Sequence, residues 1–213
     1  MRYKKMVFVT LMSTFFVMAL QPYLWSGVPG KMVEEIILKD FSSSLEEKSP
    51  QQKTRLWKEI SSSFNFEEMS KRSLGKQWNN LYPEQKNEFV GLFTKNLRSS
   101  YLRNSVHLFI DKIVSIEERQ GKKHAKVQTE LLTKRGREIS VVFYLLNRDE
   151  DWKIFDVTIE GVSLVNNYHS QFQSVIVRTS YDGLIEKMRE KHDDNYFASE
   201  YELLVSERAK RTY

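Results

Sequence analysis

The sequence WKIFDVTIEGVSLVNNYHSQF, which runs from Trp152 to Phe172, changes its hydrophobic period at Gly161. Before that glycine, residues 155–160 alternate between apolar and polar, which is the period of two of a strand with two different faces. After it, apolar residues recur at spacings of three and four, which places them along one side of a helix. Ser163 occupies the position expected for the N-cap of that helix. The stretch therefore predicts a strand that ends in a tight turn and leads directly into an amphipathic helix.

The chain before this stretch shows the period of a strand in three further segments, which are separated by short polar turns. The four predicted strands cover residues 110–118, 125–132, 138–147 and 152–160. Neighbouring strands joined in this way form an antiparallel meander. The third strand contains ISVVFYLL, which is apolar on both faces. We therefore expect both of its faces to be covered, by helices, by another layer or by something that is not protein.

Helical patterns lie on both sides of the predicted sheet in the chain. The predicted helices before the sheet contain Met32 to Ile37, Thr54 to Ile60, the segment from an Asn65 cap to Gly75, and Pro83 to Tyr101. Two more follow the sheet, one after Ser163 and one from Tyr181 to Met188. The order of helices, strands and helices predicts an α+β fold, in which a curved antiparallel four-strand sheet packs with helices.

The first residues of the chain have the pattern of a secretory leader. Three cations within the first five residues precede an uncharged apolar run from Met6 to Leu20. This run is shorter than the roughly 20 residues needed to cross a bilayer core. We expect residues 1–30 to be a cleaved signal peptide, with a retained N-terminal anchor as the alternative, because no clean cleavage site follows. The predicted domain then covers residues 31–192, and residues 193–213 form a C-terminal helical extension.

Composition excludes several classes of function. Three of the 33 Lys and Arg lie in the leader, which leaves 30 of them against 28 Asp and Glu. A chain so close to neutrality gives no electrostatic argument for nucleic acid. The absence of cysteine excludes thiol nucleophiles, disulfides and a lipoprotein anchor. The four histidines, none with a partner at the spacing of a helical zinc site, are His107, His124, His169 and His192. We therefore expect no metal.

One acid attracts a catalytic hypothesis. Asp156 lies in an apolar strand, where burial would raise its pKa and suit it to work as a general base. It has no second acid, base or oxyanion donor beside it in the sequence, so the site would be incomplete. The alternative is that Asp156 accepts hydrogen bonds from backbone N–H groups or from Tyr168 and positions the turn, and the same holds for Glu160. We favour the structural role and expect no enzyme.

Two sets of residues carry a resemblance to a known family. The first is W-K-I-F-D-V followed by E-G-V-S-L-V-N-N-Y, and the second is F-x-x-M-S-x-x-x-L-G-x-x-W at Phe66 to Trp78 with P-E-Q at Pro83. Together they resemble the MlaC or toluene-tolerance family, periplasmic proteins that shuttle phospholipids between the two membranes of Gram-negative bacteria. The resemblance covers roughly Phe64 to Lys191. The positions that match the family pattern, for which we expect structural roles, are Trp152, Asp156, Glu160, Gly161 and Ser163.

The resemblance implies both a fold and a set of partners. The implied fold is a nuclear-transport-factor-like cone with an added helical subdomain. The implied function is that of a monomeric periplasmic carrier of phospholipid, with no cofactor. Its partners would be an inner-membrane ABC transporter complex and an outer-membrane lipoprotein complex. Two alternatives remain open: a hopanoid or other triterpenoid cargo, and a cone-fold isomerase or dehydratase that uses Asp156.

Fourteen apolar residues are the candidates for a lipid-binding wall. Their pattern predicts that they face the space between the sheet and the helices, and they are Phe89, Phe93, Leu97, Tyr101, Val141, Phe143, Leu145, Phe155, Val157, Ile159, Val165, Tyr168, Phe172 and Ile176. Apolar stripes of this kind usually form an ordinary core. The resemblance favours a cavity for acyl chains instead, in which each buried CH₂ group would gain roughly 0.8 kcal/mol. A secreted interaction domain with a filled core is the remaining possibility.

Overall fold

The computed structural model describes residues 28–41, 48–103, 110–190 and 203–208. The helices before the sheet are α1 (Val28–Phe41), α2 (Pro50–Ser61), α3 (Phe66–Leu74), a 3-10 helix (Gly75–Asn80) and α4 (Pro83–Arg103). The strands are β1 (Ile110–Gln120), β2 (His124–Thr133), β3 (Glu138–Arg148), β4 (Asp151–Ile159) and β5 (Val162–Ser163). Two helices follow, α5 (Leu164–Arg178) and α6 (Tyr181–Glu190). Residues 203–208 are helical, whereas the predicted leader through residue 27 lies outside the described residues.

The strands form one antiparallel sheet in the order β1-β2-β3-β4-β5. The four predicted strands are confirmed, with ends that differ by at most two residues. The strand count is corrected from four to five, because Val162 and Ser163 turn back after Gly161 and pair with Ile159 and Thr158. A two-residue strand is too short to show a period in the sequence.

The register of β3 and β4 shifts by one residue near the middle of β4. Tyr144 pairs with Asp156, whereas the next residue of β3, Leu145, pairs with Ile154. Phe155 is therefore the extra residue of a β-bulge. The bulge separates Phe155 from Val157 and Ile159, although simple alternation would place all three on one face.

Side-chain caps explain where three of the helices begin. Ser49 and Gln52 form a capping box before α2, and Pro50 occupies its first turn. The Asn65 side chain accepts a hydrogen bond from the N–H of Glu68 at the start of α3. The Ser163 hydroxyl accepts one from the N–H of Asn166 at the start of α5, which confirms the predicted cap. These caps satisfy N–H groups that have no partner inside a helix.

The buried apolar residues divide into two groups. The sheet-face cluster joins one face of the sheet to α1 and α2, and its buried members are Val33, Ile36, Ile37, Leu56, Ile60, Ile110, Ala125, Val127, Leu131, Ile139, Val141, Phe143, Leu145, Trp152 and Ile154. The helix cluster joins α3, α4, α5 and α6, and its buried members are Met69, Leu74, Trp78, Leu81, Phe89, Phe93, Leu97, Val165, Tyr168, Phe172, Val175, Leu184, Ile185 and Met188. The molecule thus has a sheet-and-helix half and an all-helical half.

The two faces of β3 are covered to different extents. Its inner face contributes alternate buried residues from Ile139 to Leu145 to the sheet-face cluster. On the outer face, Val142, Tyr144 and Leu146 are only half-buried. The expectation that both faces are covered therefore holds for the inner face and only partly for the outer one.

Candidate functional site

The turn from β4 into α5 is held together by the carboxylate of Asp156. Its Oδ1 accepts hydrogen bonds from the backbone N–H of Val157 at 2.9 Å and of Val165 at 3.0 Å. Its Oδ2 accepts one from the Ser163 hydroxyl at 2.6 Å, and that hydroxyl in turn caps α5. Hydrogen bonds to a carboxylate are among the stronger ones in proteins. Asp156 thereby fixes the first turn of α5 to the end of β4.

The environment of Asp156 acts on its pKa in opposite directions. Burial, the largest influence, raises the pKa above the ordinary 3.8. The hydrogen bonds from Ser163, Val165 and Val157 and the positive charge of Arg72 lower it, but they do not cancel the effect of burial. Both carboxylate oxygens already accept hydrogen bonds at the turn from β4 into α5. This geometry is that of a positioning residue. The predicted alternative donor, Tyr168, is replaced in this role by Ser163.

Glu160 and Gly161 make the tight turn itself. Glu160 has a φ of 49° and Gly161 a φ of 77°, in the region that suits glycine. The Glu160 carboxylate accepts a hydrogen bond from the N–H of Ser140 at 2.6 Å, and its own N–H donates to the Ser140 carbonyl at 3.0 Å. These two bonds tie the turn to β3. Glu160 is thus engaged with the backbone, as Asp156 is.

The histidines in the described residues do not form a metal site. His169 on α5 is half-buried, and its Nδ1 lies 3.1 Å from the Ser73 carbonyl at the end of α3. His124 is exposed and lies edge-on to the Phe155 ring. No group of three or more potential metal-ligating side chains occurs in the part of the chain that the structure describes. His107 and His192 lie outside it.

The structure places the fourteen candidate wall residues in two different clusters. Those in or against the sheet-face cluster are Tyr101, Val141, Phe143, Leu145, Val157 and Ile159. Those in or against the helix cluster are Phe89, Phe93, Leu97, Phe155, Val165, Tyr168, Phe172 and Ile176. The helices that follow the turn at Gly161 therefore do not face the same space as β3. Trp152, the remaining position of the family pattern, is buried in the sheet-face cluster.

Aromatic rings fill the middle of the helix cluster. Phe93 meets Tyr168 edge-on at 5.1 Å between ring centroids, and Phe89 meets Phe172 edge-on at 5.6 Å. Phe89, Phe93 and Phe172 are each 0% exposed. Edge-to-face rings at these distances are a favourable packing arrangement. The middle of this half is thus a closed core, which nine partly buried apolar side chains surround.

Phe155 lies at the margin of the helix cluster, on the outer side of the bulge. The Arg72 guanidinium on α3 lies 4.1 Å from the centroid of its ring, which is a cation–π contact. Arg72 also donates to the carboxylate of Glu68 at 2.8 Å, and Arg148 reaches the same carboxylate at 3.2 Å. Phe155 therefore anchors α3 to the outer face of β4.

Both clusters have partly buried apolar side chains at their margins, nine for the helix cluster and seven for the sheet-face cluster. The seven that pack against the buried members of the sheet-face cluster are Met32, Phe64, Tyr101, Ile113, Ile116, Val157 and Ile159. They lie on the two outer long strands, β1 and β4, on α1, at the end of α4 and after α2. The middle strands β2 and β3 supply the buried floor. The inner face of the sheet is thus an apolar surface with a partly accessible margin.

Sequence reasoning did not assign four of the marginal residues to the site. Ile113 and Ile116 lie on β1, where a register shift breaks the simple alternation that would have revealed them. Met32 and Phe64 belong to segments far away in the sequence. A candidate signal was available in α1, because Met32 continues the helical stripe formed with Val33 and Ile36.

One polar group also lies on the inner side of β1. Glu118 pairs in register with Val127, whose side chain is buried in the sheet-face cluster. Its Oε2 accepts a hydrogen bond from the N–H of Gly30 at 3.0 Å, in the first turn of α1. An acid at the N-terminus of a helix is favourable, because the N–H groups there are free to bind it. Glu118 thus holds α1 beside the sheet.

Comparison with known proteins gives three findings. The family model described as MlaC protein matches residues 33–190. Seven chains of solved structures match, among them a phospholipid-binding protein from Ralstonia solanacearum solved in complex with a phospholipid. It aligns with a TM-score of 0.63 and 17% identity, over 78% of this chain and 94% of that chain. None of the curated proteins matches. In the residues described here, no helix has the length and apolar character needed to span a membrane.

Proposed function

Since the chain belongs to the MlaC family, we propose that it is a periplasmic lipid carrier that holds phospholipid acyl chains against the inner face of its sheet. The observation that carries this proposal is the partly accessible margin of the sheet-face cluster. The likeness in fold to a protein solved with a bound phospholipid supports it. The carrier would bind and release its cargo without chemistry.

The chemistry of the inner face suits acyl chains. Its floor consists of aliphatic and aromatic side chains from β2 and β3, and its margin of isoleucine, valine, methionine and aromatic residues. Burying ten CH₂ groups of a lipid tail there would gain about 8 kcal/mol. A charged head group would stay in water, because its burial without a partner is costly. This division leaves the head group available to a membrane partner.

The proposed site is smaller than the wall predicted from the sequence. It keeps Tyr101, Val141, Phe143, Leu145, Val157 and Ile159, and it adds the marginal residues of α1 and β1. The candidate residues of the helix cluster support the site from behind rather than line it.

The partners follow from the family. We propose that the carrier exchanges phospholipid with an inner-membrane ABC transporter complex and an outer-membrane lipoprotein complex. A secretory leader in residues 1–30 would deliver it to the periplasm. A hopanoid cargo would fit the same apolar face, and the cargo found by experiment decides between the two lipids.

Catalysis by Asp156 is the rival function. The three hydrogen bonds that its carboxylate accepts support a structural role instead. A general base must be able to reach a proton of the substrate. Here that would require the carboxylate to release the donors that hold α5. We therefore propose that the chain is not an enzyme.

A pair of matched valines tests the site. Val157 on β4 faces the sheet-face cluster, whereas Val142 on β3 lies on the outer face, and both are half-buried. Val157→Asn should place a polar amide among the acyl chains and reduce phospholipid loading several-fold. Val142→Asn should leave loading close to that of the wild type. The measurement is the amount of phospholipid extracted per mole of each purified protein.

Unfolding in urea provides the control for stability, since both substitutions remove the same side chain from a strand. Similar midpoints with different loading would support the proposal. Equal loading of the two variants would overturn the assignment of the inner face as the lipid site.

A further inference from the structure

The hairpin formed by β1 and β2 concentrates positive charge. Residues 110–137 contain eight Lys and Arg against four Asp and Glu, although the chain after the leader is nearly balanced. The cations are Lys112, Arg119, Lys122, Lys123, Lys126, Lys134, Arg135 and Arg137. They lie along the two strands, in the turn that joins them and in the turn from β2 to β3, and six of them are exposed. The hairpin is thus a cationic surface on a nearly neutral protein.

These cations have no acidic partners in the described part of the chain. The ion pairs found there involve other residues, and Lys126 donates only to the neutral Oε1 of Gln128, at 3.2 Å. Two of the acids in the hairpin accept hydrogen bonds from groups other than these cations. Glu118 binds the N–H of Gly30, and Glu130 accepts a hydrogen bond from the Ser140 hydroxyl at 2.9 Å. Acidic side chains of the described residues therefore do not neutralise the positive charge of the hairpin.

The register places two of the cations directly opposite each other. Arg119 on β1 pairs with Lys126 on β2, on the outer face of the sheet. Like charges in directly opposite positions destabilise a pair of strands. An anionic surface in contact with the hairpin would turn this unfavourable arrangement into a favourable one.

The position of the hairpin in the fold makes such a contact possible. β1 is an edge strand of the sheet, so the hairpin forms one side of the molecule. The acidic turn from Asp149 to Asp151 lies at the same end of the sheet as Lys122 and Lys123, because His124 pairs with Leu146, whereas Lys134 to Arg137 lie at the opposite end. Lysines on an edge strand can also serve only to prevent pairing with another sheet. That role, however, does not require the second run of cations at Lys134 to Arg137.

We propose that the β1–β2 hairpin is an electrostatic contact surface for anionic phospholipid bilayers. An extended set of lysines and arginines suits a bilayer, because a lipid surface offers many mobile phosphates and demands no fixed geometry. Each such cation near an anionic bilayer strengthens binding by roughly fivefold. The contact is separate from cargo binding, so it goes beyond the proposed function.

The test compares two double variants with equal loss of charge. Lys122→Gln with Lys123→Gln removes two cations from the hairpin. Lys76→Gln with Arg178→Gln removes two exposed cations from the helical half. Each protein is sedimented with vesicles of phosphatidylcholine alone and of phosphatidylcholine with phosphatidylglycerol in equal parts. Because all proteins are full-length and purified identically, any contribution of the leader is the same in each.

We expect the wild type to bind the anionic vesicles and the hairpin variant to bind them about 25-fold more weakly, whereas the helical-half variant should bind nearly as the wild type does. Raising the salt from about 0.1 M to about 1 M should abolish the difference, since the Debye length falls from about 10 Å to about 3 Å. Equal weakening in both variants, or no preference for anionic vesicles, would overturn the proposal. A hairpin variant that aggregates more but binds vesicles as the wild type does would also overturn the proposal. It would show that the cations only protect the edge of the sheet. Phospholipid loading is measured separately, so a failure here does not affect the proposed cargo site.

Discussion

The carboxylate of Asp156 shows how a single residue can fix the geometry of this fold. It joins the end of β4 to the first turn of α5 through two backbone N–H groups and the Ser163 hydroxyl. The same hydroxyl caps α5, so one small network sets both the turn and the helix start. This position buries the acid, and burial raises its pKa. All three hydrogen bonds to this carboxylate hold the turn and the start of α5 in place.

Asp156→Asn should change how stability depends on pH. Because burial raises the pKa of Asp156 above 3.8, the folded wild type binds its proton more tightly than the unfolded chain does. The stability that this group contributes is therefore present below pH 3.8 and is lost as the pH rises through the raised pKa. Asparagine retains an oxygen for the N–H groups of Val157 and Val165 but does not titrate. Urea unfolding of both proteins at a series of pH values from about 3.5 to about 7 measures the difference.

The control is Asp151→Asn, which removes an exposed acid from the same strand. We expect it to keep the pH dependence that Asp156→Asn loses. Parallel stability profiles of Asp156→Asn and the wild type would contradict a raised pKa of Asp156 in the folded protein. Unchanged phospholipid loading in a folded Asp156→Asn protein would also count against a catalytic role.

At the scale of elements, the packing of α3 against α5 depends on a close approach at the end of α3. The His169 ring and the Gln173 amide, one helical turn apart on α5, bind the carbonyls of Ser73 and Leu74, each at 3.1 Å. Carbonyls at the end of a helix lack partners within it. Gly75 ends α3 with a φ of 59°, next to His169. Side chains of α5 thus bind the carbonyl groups at the end of α3.

Alanine substitutions at two glycines should change the stability of the protein in opposite directions. A methyl group at Gly75 would lie 2.7 Å from Cε1 of His169, in a conformation that costs an L residue about 1–2 kcal/mol. We expect Gly75→Ala to destabilise the protein by at least that amount. Gly91 lies within α4, and a methyl group there meets nothing within 4 Å. Gly91→Ala should therefore stabilise the protein by about 0.5–1 kcal/mol.

Denaturant unfolding of both variants measures the two effects. His169→Ala loses the bond to Ser73, so it is the reference for the double variant: in that background Gly75→Ala should cost only the backbone part of the loss. A Gly75→Ala protein as stable as the wild type would show that α3 and α5 do not approach as closely as the structure indicates.

The same elements show which features the sequence predicts and which it does not. The four long strands and the caps at Asn65 and Ser163 follow from periods and spacings, which are local properties of the chain. The division of apolar residues into two clusters does not, because a period assigns a residue to a face without saying what lies opposite. The bulge at Phe155 arises from pairing between strands, and β5 is too short to have a period. For this reason the proposed site is smaller than the predicted wall of fourteen residues and includes additional members.

For the whole molecule, an all-helical half packs beside a sheet whose inner face has a partly buried apolar margin. Aromatic rings in edge-to-face contact fill the middle of the helix cluster, and partly buried apolar side chains form the margin of the sheet-face cluster. Exposed apolar surface is unfavourable in water unless it is covered by a partner or a ligand. The proposed phospholipid supplies that cover, and the cationic hairpin at the side of the sheet would bring the carrier to anionic bilayers.

The most direct test is to identify what occupies the inner face. The protein is purified gently from its own cells, extracted with organic solvent and analysed by mass spectrometry. Val157→Asn and Val142→Asn, purified in parallel, show whether any extracted lipid depends on the inner face. We expect close to stoichiometric phospholipid on the wild type, with less on Val157→Asn than on Val142→Asn. Recovery of no stoichiometric lipid from the wild-type protein would contradict the carrier function.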